Sequence, residues 1–120
     1  MNDYTVEVEV NRIAAAYRQR AQQRLHEHSI PEHMHEDVLD YIEYGKSTGS
    51  FLRLLLENNF VHAAPKADAA NRSALYGWAR FIHDTMPAIA CGSRDAVEAW
   101  MGRGGLRGVV ERRVEEKESA

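Results

Sequence analysis

Residues 31–45, PEHMHEDVLDYIEYG, decide the fold class of this chain. Pro31 suits the first turn of a helix, where its missing N–H would have no partner, and Glu32 places a carboxylate near the positive end of the helix dipole. Gly45 follows where a left-handed residue commonly ends a helix. Between these ends the apolar face consists of Met34, Val38, Tyr41 and Ile42. The stretch therefore predicts an amphipathic helix with marked ends.

Similar patterns on both sides predict further helices. An apolar residue at every fourth position favours a helix over residues 11–28, and other helices are expected to begin near Ser50, Asp68 and Ser93. The side chains predicted to form the core are Phe51, Leu55, Leu75, Trp78, Ile82 and Trp100. We therefore predict an all-α fold, a compact bundle of about four to five short helices.

Residues 3–10 have two interpretations. Apolar side chains alternate with polar ones here, as in a half-buried strand: Tyr4, Val6, Val8 and Val10. The segment also runs directly into the helical stripe, and no later segment offers an obvious strand partner. Residues 3–10 are therefore either an extension of the first helix or a short N-terminal strand that pairs between subunits.

Changes in composition divide the chain into three parts. Residues 1–29 form an N-terminal extension and first helix, residues 30–101 a helical core domain, and residues 102–120 a tail that is first glycine-rich and then charged. The tail is predicted to be mobile, or to be a solvated helix that orders only on assembly. Apolar residues of the first helix would then be covered in a homodimer or higher oligomer: Ile13, Tyr17 and Leu25.

Composition limits the class of protein. With 120 residues, 44% of them hydrophobic and 28% charged, the chain has the size and make-up of one globular domain. Its formal net charge of −3 argues against direct binding to a nucleic-acid backbone. No apolar run approaches the roughly 20 residues that span a bilayer, and no secretory signal is visible. We expect no membrane contact and a cytoplasmic location.

Metal and cofactor chemistry are not expected. The histidines form two H-x-H pairs around residues 29–31: His26, His28, His33 and His35. Residues two apart on a helix point about 200° away from each other, and no two of these histidines have the i, i+4 separation that suits chelation. They are interpreted as side chains that face water, and a pH-sensitive junction or adventitious metal binding is the alternative. The single cysteine, Cys91, excludes a disulfide within the chain.

Catalytic groups are sparse, and the chain is predicted not to be an enzyme. Cys91 follows His83 by eight residues, but Pro87 lies between them and no third group orients the pair. The carboxylates around the predicted helix of residues 31–45 are interpreted as a solvated face: Glu32, Glu36, Asp37 and Asp40.

The loop at residues 46–50 offers the best candidate binding chemistry. Lys46, Ser47, Thr48 and Ser50 supply one cation and three hydroxyls just before a predicted helix, whose free N–H groups and dipole favour an anion. The loop lacks the P-loop pattern, and a simple capped turn is the alternative. Asn71 and Arg72 add an amide and a guanidinium that can bind a base edge or a carboxylate, although turn formation explains asparagine equally well.

Three spaced motifs carry a resemblance to a known group of proteins. They are GKSTGSFLRLLLENN at residues 45–59, ADAANRSAL at residues 67–75 and PAIACGSRDAVEAW at residues 87–100. Together they resemble a widespread group of small uncharacterised proteins encoded by bacteriophages and prophages. The resemblance covers residues 30–101.

The resemblance implies an accessory protein that counters host defence in a bacterial cell by binding without turnover. One form of this function is the sequestration of a nucleotide-like anion, with phosphates held by the loop at residues 46–50 and a base stacked on Tyr44 or Tyr76. The alternative is an inhibitor of a host defence nuclease or CRISPR component, whose acidic face would include Glu32, Glu57 or Asp68. The small net charge favours the anionic ligand.

Overall fold

The computed structural model describes residues 3–119, and within them it contains eight α-helices linked by turns and short 3₁₀ segments. The helices are α1 (Asp3–Glu27), α2 (His35–Tyr44), α3 (Ser50–Leu56), α4 (Phe60–Ala63), α5 (Ala69–Ser73), α6 (Leu75–Thr85), α7 (Arg94–Arg103) and α8 (Gly105–Ser119). The all-α prediction is confirmed. None of the described helices is long and apolar enough to cross a bilayer.

The predicted number of helices was too low, because local backbone breaks divide two of the expected helices. Asn58 adopts a left-handed conformation with φ of 64°, which separates α3 from α4. Ala74 leaves helical geometry with φ of −104° and ψ of 10°, which separates α5 from α6. Residues 105–119 add a further helix in the segment that was predicted to be a tail.

The strand interpretation of residues 3–10 is wrong, because these residues continue α1 without a break. Val10 and Ala14 are buried on the part of α1 that runs beside α8. α8 therefore supplies the partner that the sequence did not reveal. The two helices run antiparallel, since Arg107 near the start of α8 bonds to Asn11 while Thr5 and Glu118 line the same groove.

One hydrophobic core joins the middle and C-terminal half of the chain to the end of α1. Trp78 packs edge to face against Phe51 and Phe81, and Trp100 is buried beside them in the same cluster. The other predicted core residues pack partly buried against this cluster: Leu55, Leu75 and Ile82. Ala21 and Leu25 of α1 also belong to the core, so the predicted boundary between residues 29 and 30 lies inside one packed unit.

Two glycine contacts fix how the helices meet. Gly45 and Gly105 both have positive φ, and their backbones touch where the end of α2 meets the start of α8. A Cβ built on Gly77, inside α6, would lie 2.2 Å from the carbonyl oxygen of His28. Gly77 therefore lets α6 pack directly on the backbone that follows α1.

Candidate functional site

In the loop at residues 46–50 the lysine is turned away from the next helix. Lys46 Nζ lies 3.7 Å from Asp40 Oδ2 and 5.2 Å from the ring centre of Tyr44, so its charge is directed back toward α2. The Thr48 hydroxyl donates to the carbonyl of the following residue at 3.3 Å. α3 has only seven residues and no side-chain cap. The arrangement is an ordinary turn with a surface ion pair.

The remaining predicted ligand residues lie in different surroundings. Ser47 and Ser50 are exposed, as is Arg72. Tyr76 is 75% exposed on α6, and its hydroxyl accepts a long hydrogen bond from Arg80 at 3.4 Å. The Lys46 amine and the Arg107 guanidinium both lie near the Tyr44 ring, at 5.2 Å and 5.4 Å from its centre. The structure therefore does not gather the predicted set around one hollow.

A shallow hollow of about 260 Å³ does bring two of these residues, Ser50 and Asn71, to the start of α3. It is lined by His33, Met34, Asp37, Gly49, Ser50, Phe51, Leu52, Lys66, Asp68 and Asn71. The hollow contains two carboxylates, those of Asp37 and Asp68, and one lysine, Lys66. The backbone N–H of Asn71 and the nearby His33 lower the pKa of Asp68, which keeps that carboxyl charged. This charge balance does not favour an anion.

Asn71 has a structural role inside this hollow. Its side chain is 3% exposed, and its Oδ1 accepts the indole N–H of Trp78 at 2.9 Å. Its backbone N–H donates to Asp68 Oδ1 at 2.8 Å, which caps α5. The side-chain oxygen of Asn71 is thus bonded to the core, and its backbone N–H is bonded within the cap of its own helix.

Replacing Asn71 by alanine is therefore expected to lower the free energy of unfolding by about 1–3 kcal/mol, because the buried Trp78 indole loses its acceptor. Urea unfolding followed by circular dichroism measures this loss. The neighbouring exposed variant Arg72→Ala is the control and should stay within about 0.5 kcal/mol of the wild type. Equal, small effects in both variants would contradict the structural role of Asn71.

The histidines make several separate contacts. His35 is buried, its Nε2 lies 2.8 Å from the carbonyl oxygen of Ile30, and its Nδ1 lies 3.0 Å from the Gln22 amide. His33 pairs with Asp68 at 2.9 Å on the surface. The expectation that the histidines face water is therefore wrong for His35, and also for His28, whose side chain is 16% exposed and whose Nε2 lies 3.6 Å from Asp84 Oδ2. Within residues 3–119, no group of three or more potential ligands is placed to hold a metal ion.

A second polar hollow, of about 420 Å³, lies between α1 and the end of α6. It is lined by Tyr17, Arg20, Arg24, Asp84, Thr85 and Met86. Arg20 lies over the Tyr17 ring at 4.9 Å, and Arg24 pairs with Glu27 at 2.9 Å. Asp84 pairs with Arg80 at 3.4 Å, and the negative end of the α6 dipole lies beside the two arginines. Neither arginine belongs to the predicted ligand set.

The Cys91 thiol is half-buried, and this burial raises its pKa above the ordinary value. A raised pKa leaves less of the nucleophilic thiolate. Its Sγ lies 3.8 Å from the carbonyl oxygen of Pro87. These surroundings are those of a structural cysteine.

A buried ion cluster, which sequence reasoning missed, lies where α1, α2 and α8 meet. Glu43 is only 5% exposed; its Oε1 accepts from Arg18 Nη1 at 2.8 Å, and its Oε2 accepts from Arg107 Nε at 2.6 Å. Arg18 also pairs with Asp40 at 3.2 Å and with Glu36 at 3.7 Å. Part of the acidic face of α2 is therefore an electrostatic contact with α1 and not a solvated surface.

The pKa of Glu43 reflects two opposing effects. Burial acts to raise it, but the hydrogen bonds from Arg107 and Arg18 outweigh the burial, so the pKa lies below its ordinary value. The carboxylate is thus charged, and its ion pairs hold α1 and α8 against α2. The sequence held a signal for this contact, since Glu36, Asp40 and Glu43 recur at helical spacing and α1 carries arginines.

Beyond this ion cluster, α8 and the N-terminal half of α1 extend together, away from the main core. The molecule is elongated, with principal extents of 50 × 27 × 19 Å. Two large apolar side chains of this helix pair face solvent: Tyr4 is 73% exposed and Val8 is 48% exposed. Exposed apolar side chains grouped on one element are typical of an interaction surface.

Two grooves run along the helix pair. The larger, of about 730 Å³, is called the neutral groove and is lined by Thr5, Glu9, Ile13, Val110, Arg113, Val114, Lys117 and Glu118. The other, of about 400 Å³, is called the acidic groove and is lined by Val6, Glu7, Val10, Arg107, Glu111 and Glu115. In both grooves valine side chains lie between charged side chains, as in the binding grooves of many proteins.

Comparison with known proteins assigns no family to the chain. No protein-family model matches the sequence, no curated protein matches it, and no solved structure matches the fold.

Proposed function

We propose that this chain is a phage-encoded accessory protein that acts by binding a host defence protein without turnover, and that the α1/α8 pair makes the contact. The observation that carries the proposal is the exposure of Tyr4 and Val8 on two helices that extend from the core. The phage context comes from the resemblance of residues 30–101 to phage proteins.

The pairing of the cations around the loop at residues 46–50 favours this protein-directed form over sequestration of an anionic signal by that loop. Lys46 is paired with Asp40, and Arg107 is held by the buried Glu43. Binding of a nucleotide needs free cations or free N–H donors around its phosphates. An apolar surface bounded by polar groups instead gives another protein both contact area and specificity.

The proposal is tested by expressing the chain in bacterial strains that each carry one defence system and measuring phage plating. The wild type is expected to restore plating in at least one strain, and the double variant Tyr4→Ser with Val8→Ser to lose that effect. The matched control replaces two other exposed apolar residues, Val61→Ser with Tyr76→Ser, and should keep it. Equal loss in both double variants, or no restored plating in any strain, contradicts the proposal.

A thermal-shift screen separates the two forms of the function. Cyclic nucleotides and ADP-ribose compounds are expected to leave the melting temperature unchanged, because a ligand that does not bind the native state cannot stabilise it. A rise in melting temperature that disappears in Lys46→Ala would instead support sequestration through the loop at residues 46–50.

A further inference from the structure

The acidic groove holds three carboxylates that no cation neutralises. Glu7 lies on α1, while Glu111 and Glu115 lie one turn apart on α8, and all three are exposed. Within residues 3–119 none of the three takes part in a salt bridge, although ion pairs are common elsewhere on the surface. The single guanidinium of the groove, on Arg107, is bonded to Glu43 at 2.6 Å. The rim of this groove is therefore negative.

The floor of the same groove is apolar. Val6 and Val10 lie one turn apart on α1 and line the floor. Tyr4 and Val8 are each two residues away from Val6 along the helix, so they point about 200° away from it. They lie on another face of α1, and the acidic groove is a second surface of the helix pair.

We propose that a cationic amphipathic helix of the partner protein occupies the acidic groove. This inference rests on the proposed function and names the chemistry of its partner. Lysines or arginines spaced three and four residues apart on that helix pair with Glu111 and Glu115 on one side and with Glu7 on the other. Its apolar side chains cover the valine floor, so that α1, α8 and the partner helix form a three-helix contact.

A second copy of this chain is a poorer occupant of the groove. In a two-fold symmetric dimer the same surface meets itself, so the carboxylates of one acidic groove would face those of the other. Like charges brought together in this way oppose association. A nucleic acid is excluded by the same negative charge.

The test uses the whole protein and two synthetic helical peptides. One peptide has leucine on one face and lysine on the other, and its charge-reversed counterpart carries glutamate in place of lysine. Isothermal titration calorimetry is expected to show binding of the lysine peptide, weakening as salt is added, and no binding of the glutamate peptide. Comparable binding of both peptides would overturn the proposal, since charge would then play no part.

A pair of double variants locates the contact. Glu111→Gln with Glu115→Gln removes two charges from the acidic groove and is expected to weaken peptide binding about tenfold. Glu116→Gln with Glu118→Gln removes the same charge from the same helix outside that groove, and should stay within about twofold of the wild type. All four side chains are exposed, so circular dichroism should show unchanged folding. Equal weakening in both variants overturns the proposal.

The experiments distinguish an error in the proposed occupant of the acidic groove from an error in the proposed function. If the lysine peptide does not bind while phage plating still depends on Tyr4 and Val8, the occupant is wrong and the protein-directed function stands. If sedimentation shows a dimer that the lysine peptide dissociates, the occupant is a second copy and the proposal is overturned. If the peptide binds as expected but no strain shows restored plating, the groove assignment holds and the anti-defence function fails.

Discussion

Replacing Gly105 by alanine is expected to lower the free energy of unfolding by about 2–5 kcal/mol. Gly105 has φ of +67°, a conformation that costs a residue with a side chain about 1–2 kcal/mol. A Cβ there would also lie 2.4 Å from the backbone nitrogen of Gly45 and 2.7 Å from the carbonyl carbon of Tyr44. Both contacts are to backbone, so neither is relieved by a side-chain rotation.

Chemical unfolding followed by circular dichroism measures this loss, and Gly102→Ala is the matched control. Gly102 lies three residues earlier, inside α7, and a Cβ there would meet nothing within 4 Å. Alanine at this position should stabilise the protein by about 0.5–1 kcal/mol, because glycine disfavours a helix interior. A Gly105→Ala protein as stable as the wild type would mean that α8 does not pack on the end of α2 in this way.

Replacing Glu43 by glutamine is expected to destabilise the protein by about 3 kcal/mol, because it removes the buried charge that two arginines share. Arg107 would lose the carboxylate with which it pairs at this helix junction, while Arg18 would keep Asp40 at 3.2 Å. The exposed variant Glu98→Gln is the control, since Glu98 is 49% exposed and pairs on the surface with Arg94 at 3.1 Å. Its loss should stay below about 1 kcal/mol.

The same variant predicts a pH dependence. The pKa of Glu43 in the folded protein lies below the ordinary value of 4.5, so its stabilisation is complete above that value. The stabilisation is lost as the pH falls through the folded pKa and the carboxyl becomes protonated. The stability gap between wild type and Glu43→Gln should therefore narrow on acidification below about pH 4.5. A gap that is constant with pH would show that charge is not what stabilises this junction.

Features governed by local chemistry could be predicted from the sequence. Gly45 ends α2 in a left-handed conformation with φ of 71°, and the Ser93 hydroxyl accepts the Ala96 N–H at 3.0 Å to cap α7. A glycine inside a helix costs stability unless close packing requires it, and Gly77 lies against the His28 backbone. Each of these depends on residues close in sequence or on one unusual residue type.

The α1/α8 pair could not be predicted in the same way, because its partners lie about a hundred residues apart in sequence. Valines at positions 6, 8 and 10 fit a strand as well as a helix, and only a buried helical neighbour decides between the two. α8 in turn is mostly charged, so its sequence alone predicts a solvated segment. Each helix supplies the apolar contact that the other lacks.

The predicted ligand residues illustrate a second limit of sequence reasoning. A residue type indicates which hydrogen bonds or charges a side chain offers, but not which neighbour has already taken them. The amide of Asn71 is taken by Trp78, and the amine of Lys46 is directed toward Asp40. Sequestration of an anion by these residues thus stays a prediction, and the structure offers the helix pair as the more accessible surface.

The placement of the aromatic chromophores has a practical consequence. Trp78 and Trp100 are both at most 1% exposed and both belong to the main core, whereas neither α1 nor α8 contains tryptophan. Intrinsic tryptophan fluorescence therefore reports on the centre of the molecule, and it is insensitive to separation of residues 3–10 of α1 from the outer part of α8. An optical melt that relies on indole emission alone would report an intact protein even after the surface proposed to bind the partner had come apart.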